Sequence, residues 1–121
     1  MAALEESVRT STTPSKVLPE LVNLVNASDP ALAGPAEQER LARAAIVLSK
    51  RLKNVAIEKG SNERAAQASE AAALAETAAR RSGNRDIERE VLLLQRDVNR
   101  TRATLLYRAG SPPGTPANDN L

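Results

Sequence analysis

The 121-residue chain predicts an all-α fold: an antiparallel three-helix bundle with a short extra N-terminal helix, four-helix-like in its up-and-down course, between flexible termini. Three observations predict it. First, 22 residues are Ala and 15 are Leu, with 8 Val, 3 Ile, one Tyr and neither Phe nor Trp. Alanine is the best helix former but buries little surface, so the core is built from thin aliphatic seams with small spacers. Second, aliphatic residues recur in steps of three and four along several stretches, the spacing of one helix face. Third, glycine-containing stop-and-cap pairs separate those stretches.

Taken in order, residues 1–14 are Ser/Thr-rich and end at Pro14, which predicts a flexible N-terminus. The bundle then spans 15–110. Its first helix is expected over 16–27, where Val17 or Leu18 is followed by Leu21, Val22, Leu24 and Val25. Pro19 is tolerated if it lies in the first turn, and Ser28–Asp29–Pro30 ends the run.

Gly34–Pro35 opens a second helix over 35–59, with Glu37 and Glu39 near its positive N-terminal end. Leu41, Ala45, Leu48, Leu52 and Val55 form its stripe, and Lys59–Gly60 stops it. Ser61 or Asn62 caps a third helix over 62–82. Nine of its residues are Ala and Leu74 is its one large aliphatic; Ala68, Ala72, Ala75 and Ala79 give a smooth face that neighbours can approach closely. Gly83 stops it. Asn84 caps a fourth helix over 85–108, whose seam is Ile87, Val91, Leu94, Val98, Thr101 and Leu105. Pro112 and Pro113 belong to a Pro/Gly tail over 111–121 that is expected to be disordered. Connections this short make successive helices antiparallel neighbours.

Such a core is thin. Each buried Leu or Val contributes about 1.5–3 kcal/mol, against roughly 1–2 kcal/mol of backbone entropy per ordered residue. Yet apolar residues also stand beside the seams: Leu92, Leu93, Leu106 and Tyr107 on the fourth helix, Ile46, Val47 and Ile57 on the second. Surplus apolar surface points to a protein partner or to self-association; the alternative is that the first helix covers it and completes a four-helix monomer.

The chemistry available is limited. No Cys means no thiol nucleophile, disulfide or thiolate metal site, and no His means no imidazole base or ligand. Asp86, Glu88 and Glu90 alternate along a helix, where positions two apart diverge by about 200°, so they do not converge on one ion. No Gly-rich phosphate loop is present. No catalytic residue, metal, cofactor or small-molecule substrate is therefore expected, and the chain is not expected to be an enzyme.

Net charge is +2, with residues 35–110 mildly basic and both ends mildly acidic. Arg80, Arg81, Arg85 and Arg89 surround the turn between the third and fourth helices and form a possible nucleic-acid contact. Carboxylates interleave with them and there is no aromatic platform for bases, which makes this the second reading. No run of apolar residues is long enough for a membrane span and no apolar signal-peptide core opens the sequence, so a cytoplasmic location is expected. The leading expectation is a non-enzymatic interaction or assembly module. Leu92, Leu93, Leu106 and Tyr107 would contact a protein partner or another copy, with Arg96 and Arg100 at the rim.

Overall fold

A computed structural model describes residues 2–29 and 33–108. Among them are five helices and no strand: α1 (Ala2–Thr10), α2 (Pro14–Ala27), α3 (Pro35–Lys59), α4 (Asn62–Ser82) and α5 (Arg85–Arg108). The fold is all-α, as the composition and periodicity predict. The tail over 111–121 lies outside the described residues.

The three long helices begin and end at the predicted residues, and local chemistry explains why. Gly60 and Gly83 adopt left-handed φ values of 61° and 71°, which only glycine reaches without strain from a Cβ. Ser61 Oγ accepts from the Arg64 amide at 3.1 Å to start α4. Asn84 Oδ1 accepts from the amides of Asp86 at 3.0 Å and Ile87 at 3.3 Å to start α5.

Two expectations need correction. The N-terminus is not a free strand of chain over 1–14: Ala2–Thr10 is helical and buries Leu4 and Val8. A helix of nine residues is marginal alone, and this one is held by docking on α2 and α3. Secondly, α2 starts at Pro14 rather than near residue 16, so Pro19 falls inside the helix rather than in its first turn. Pro14 occupies the N1 position, where a missing amide costs nothing. Pro19 is exposed and lacks the amide that would have reached back to Ser15.

The α3–α4 hairpin is the centre of the molecule and its most extensive contact. Ala68, Ala71, Ala72, Ala75, Ala78 and Ala79 are buried, so most of the apolar surface that α4 presents to its neighbours is methyl groups, with Leu74 partly buried beside them. Across this contact the buried Ser49 hydroxyl donates to the Ala68 carbonyl at 2.7 Å. On α4, Glu76 meets Gln95 of α5 and Ser69 meets Arg102. Seven residues forward on α5 is thus seven residues back on α4, an antiparallel register. α5 packs on α4 and α3, whereas α1 and α2 cover a different part of the hairpin; the α5 backbone does not approach either.

The main core joins Leu21, Leu41, Leu48, Leu52, Ile87, Val91 and Val98 to the alanines of α4. A separate small cluster of Ala56, Ala65 and Leu105 closes the end beyond the reach of α1 and α2. Of the apolar residues expected as surplus on α3, Ile46 is buried instead. It lies one heptad before Lys53, which pairs with Asp97, so α5 covers that side of α3. Val47 and Ile57 stay exposed.

Candidate interaction surface

Along α5 the side chains divide into two faces. Ile87, Val91, Leu94, Val98, Thr101 and Leu105 are buried, and all six are the predicted seam. Thr101, the polar member, turns its hydroxyl to the Asp97 carbonyl four residues back at 3.0 Å and so leaves no donor unpaired.

On the opposite face Leu92, Leu93 and Tyr107 are each 58% exposed and Leu106 is 51% exposed. These are four of the seven large exposed hydrophobics among the described residues, so the apolar surface is concentrated on one helix. Leu92/Leu93 and Leu106/Tyr107 form two dyads fourteen positions apart, which is ~21 Å along a helix at 1.5 Å per residue. Two heptads separate them, so both dyads point to the same side. Arg96, Arg100 and Ala103 lie between them, all exposed.

The four arginines around the α4–α5 turn do not act as one group. Arg80 is tied to Glu76 at 2.6 Å on α4. Arg81 turns inward and donates to the carbonyls of Val25 at 3.0 Å and Ser28 at 3.1 Å, at the end of α2. Arg85 and Arg89 belong instead to the outer face of α5, in line with the first dyad. This grouping is readable as spacing: 85, 89, 93, 96, 100, 103 and 107 follow one another in steps of three or four. Sequence reasoning placed Arg85 and Arg89 with their neighbours in the chain rather than with their neighbours on the helix.

At the far end of the same face a hollow of about 180 Å³ opens between α5 and α3, lined by Ile57, Arg100, Thr101, Thr104, Leu105 and Arg108. A second hollow of about 100 Å³, beside Leu92, is lined by Glu76, Ala79, Arg80, Glu88 and Val91. Both are smaller than the pockets of ~300–1,000 Å³ that enclose small ligands. They shape the edges of a surface rather than form a binding chamber. Among the described residues no group of three or more carboxylates is arranged to hold a metal ion. None of the described helices is long and apolar enough to cross a membrane. No family model, curated protein or solved structure matches this chain.

Proposed function

We propose that the chain is a non-enzymatic helical interaction module that uses the outer face of α5 to bind a protein partner or another copy of itself. One observation carries the reading. Leu92, Leu93, Leu106 and Tyr107 are more than half exposed on a helix whose other face is fully engaged in the core. Exposed apolar groups gathered on one face lose water only when something covers them. The absence of His and Cys from the sequence supports the non-enzymatic half of the reading. A nucleic-acid surface on Arg80, Arg81, Arg85 and Arg89 has less support, because Arg81 is engaged by the Val25 and Ser28 carbonyls at the end of α2 and Arg80 by Glu76.

The test compares the wild-type chain with Leu93→Glu. Light scattering gives the mass in solution, and affinity capture from the native cell extract reports bound protein. The substitution should abolish whichever association the wild type shows and leave the circular dichroism spectrum unchanged. Association that survives Leu93→Glu, or a substrate turned over by the purified chain, overturns the proposal.

A further inference from the structure

The charge of the α5 face says what kind of partner fits it. Arg85, Arg89, Arg96 and Arg100 are all exposed there, on the same line as the leucines. Among the described residues Arg85, Arg96 and Arg100 have no carboxylate within ion-pair distance. Arg89 has only Asp86 at 3.9 Å, with both side chains open to solvent. An exposed pair of that kind neutralises little. The face is therefore apolar at two places and cationic between them, at Arg96 and Arg100, whereas Asp86, Glu88 and Glu90 interleave with Arg85 and Arg89 before the first dyad. Resting on the reading above, we propose that it docks an acidic amphipathic helix of a partner protein, with aliphatic residues at heptad spacing and carboxylates beside them.

Other occupants match the pattern less well. A second copy aligned in parallel sets every arginine against its own counterpart. An antiparallel copy that matches Leu92/Leu93 with Leu106/Tyr107 brings Arg96 and Arg100 of both chains to the centre of the contact. Either arrangement is repulsive. Nucleic-acid phosphates would satisfy the guanidinium groups but leave the leucines between them wet. An interfacial membrane helix carries its cations on a polar face apart from its apolar face, whereas here Arg96 and Arg100 interrupt the apolar line itself. A partner helix meets both demands, with leucine against leucine and glutamate against arginine, at the 3–4 spacing both helices share.

The experiment titrates the full chain into a labelled synthetic helix of about 21 residues with Leu at the a and d positions and Glu at e and g. A Lys-for-Glu version, a DNA duplex and phosphatidylglycerol vesicles are run beside it. The Glu peptide should bind and the Lys peptide should not. Arg96→Glu should weaken binding roughly fivefold or more, the scale of turning a surface attraction into a repulsion. Lys50→Glu makes the same change in net charge on the exposed side of α3 and should leave binding unaltered. Leu93→Glu should abolish it.

The inference fails if the Glu peptide does not bind, or if the Glu and Lys peptides bind alike. It also fails if Arg96→Glu and Lys50→Glu weaken binding equally, or if duplex or vesicles bind more tightly than the Glu peptide. A dimer that Leu93→Glu dissolves and Arg96→Glu leaves intact overturns the acidic partner while sparing α5 as the contact face. Association indifferent to Leu93→Glu overturns both.

Discussion

Two arginines on the central hairpin each complete a helix to which they do not belong. Arg51 of α3 donates to the Val8 carbonyl at 2.6 Å and to the Ser11 carbonyl, at the end of α1. Arg81 of α4 does the same for Val25 and Ser28 at the end of α2. The last carbonyls of a helix lack α-helical partners and carry its negative pole, so a guanidinium group satisfies both needs. α2 has no basic residue in its own last turn. Arg81→Ala should therefore loosen α2 by about 1–2 kcal/mol. Amide exchange should quicken at Leu21 and Val25 while α5 keeps its protection. Arg81→Lys should recover much of this, because a single nitrogen, Nη1, serves both carbonyls and an ammonium also carries more than one donor.

Glu5 and Arg40 make the other link to α1, with guanidinium nitrogens at 2.6 and 3.2 Å from the two carboxylate oxygens. These hydrogen bonds hold the Glu5 carboxyl below its ordinary value and raise Arg40 above its own. A lowered folded-state value means that the stabilisation is complete above the ordinary carboxylate range and is lost as pH falls through the depressed value. As pH falls below the ordinary carboxylate range, the α1 amides should then lose protection against exchange relative to those of α3. Glu5→Gln should be equally loose at neutral pH and show no further change on acidification through this group.

Among elements, α4 sets the geometry of the others. Its buried alanines present little volume to their neighbours, and the larger core side chains come from α3, α5 and α2. Added bulk has nowhere to go in such a contact. Ala75→Leu, at a position with no exposure, should cost about 1–3 kcal/mol by forcing α3 and α4 apart. Removing volume from the facing helix is also costly: Leu48→Ala leaves a cavity and should lose about 2–5 kcal/mol. Both are read from the midpoint of thermal or urea unfolding. α1 is the opposite kind of element, too short to persist alone, and its order depends on the groove between α2 and α3.

In the whole molecule, among the described residues, the α3–α4 hairpin is lined by α1 and α2 on one part of its surface and by α5 on another, and no other described helix lies against the outer face of α5. Consecutive residues report the division. Leu93 is more than half exposed and Leu94 is buried at 4%, about 100° apart around the same helix. Leu93→Glu should leave the unfolding midpoint within about 0.5 kcal/mol of wild type. Leu94→Glu should abolish the cooperative unfolding transition by burying an unpaired charge. Comparable losses at both positions would mean that α5 packs on the hairpin through a different face.

The helical class, the limits of α3, α4 and α5, and the whole buried seam of α5 were legible in the sequence. They follow from local causes: 3–4 aliphatic spacing, alanine content, and glycine or serine at both ends of α3 and α4, with asparagine at the start of α5. The separation of Leu94 from Leu92 and Leu93 was legible for the same reason, since periodicity assigns residues to faces. The order of residues 2–10 was not, because Leu4 and Val8 alone do not outweigh the entropy of ordering so short a segment. Nor were the burial of Ile46 or the use of Arg51 and Arg81 as caps, which depend on which helix lies against which face. Local sequence fixes what each stretch of chain prefers to be, whereas contacts between residues forty or fifty positions apart exist only once the helices are assembled.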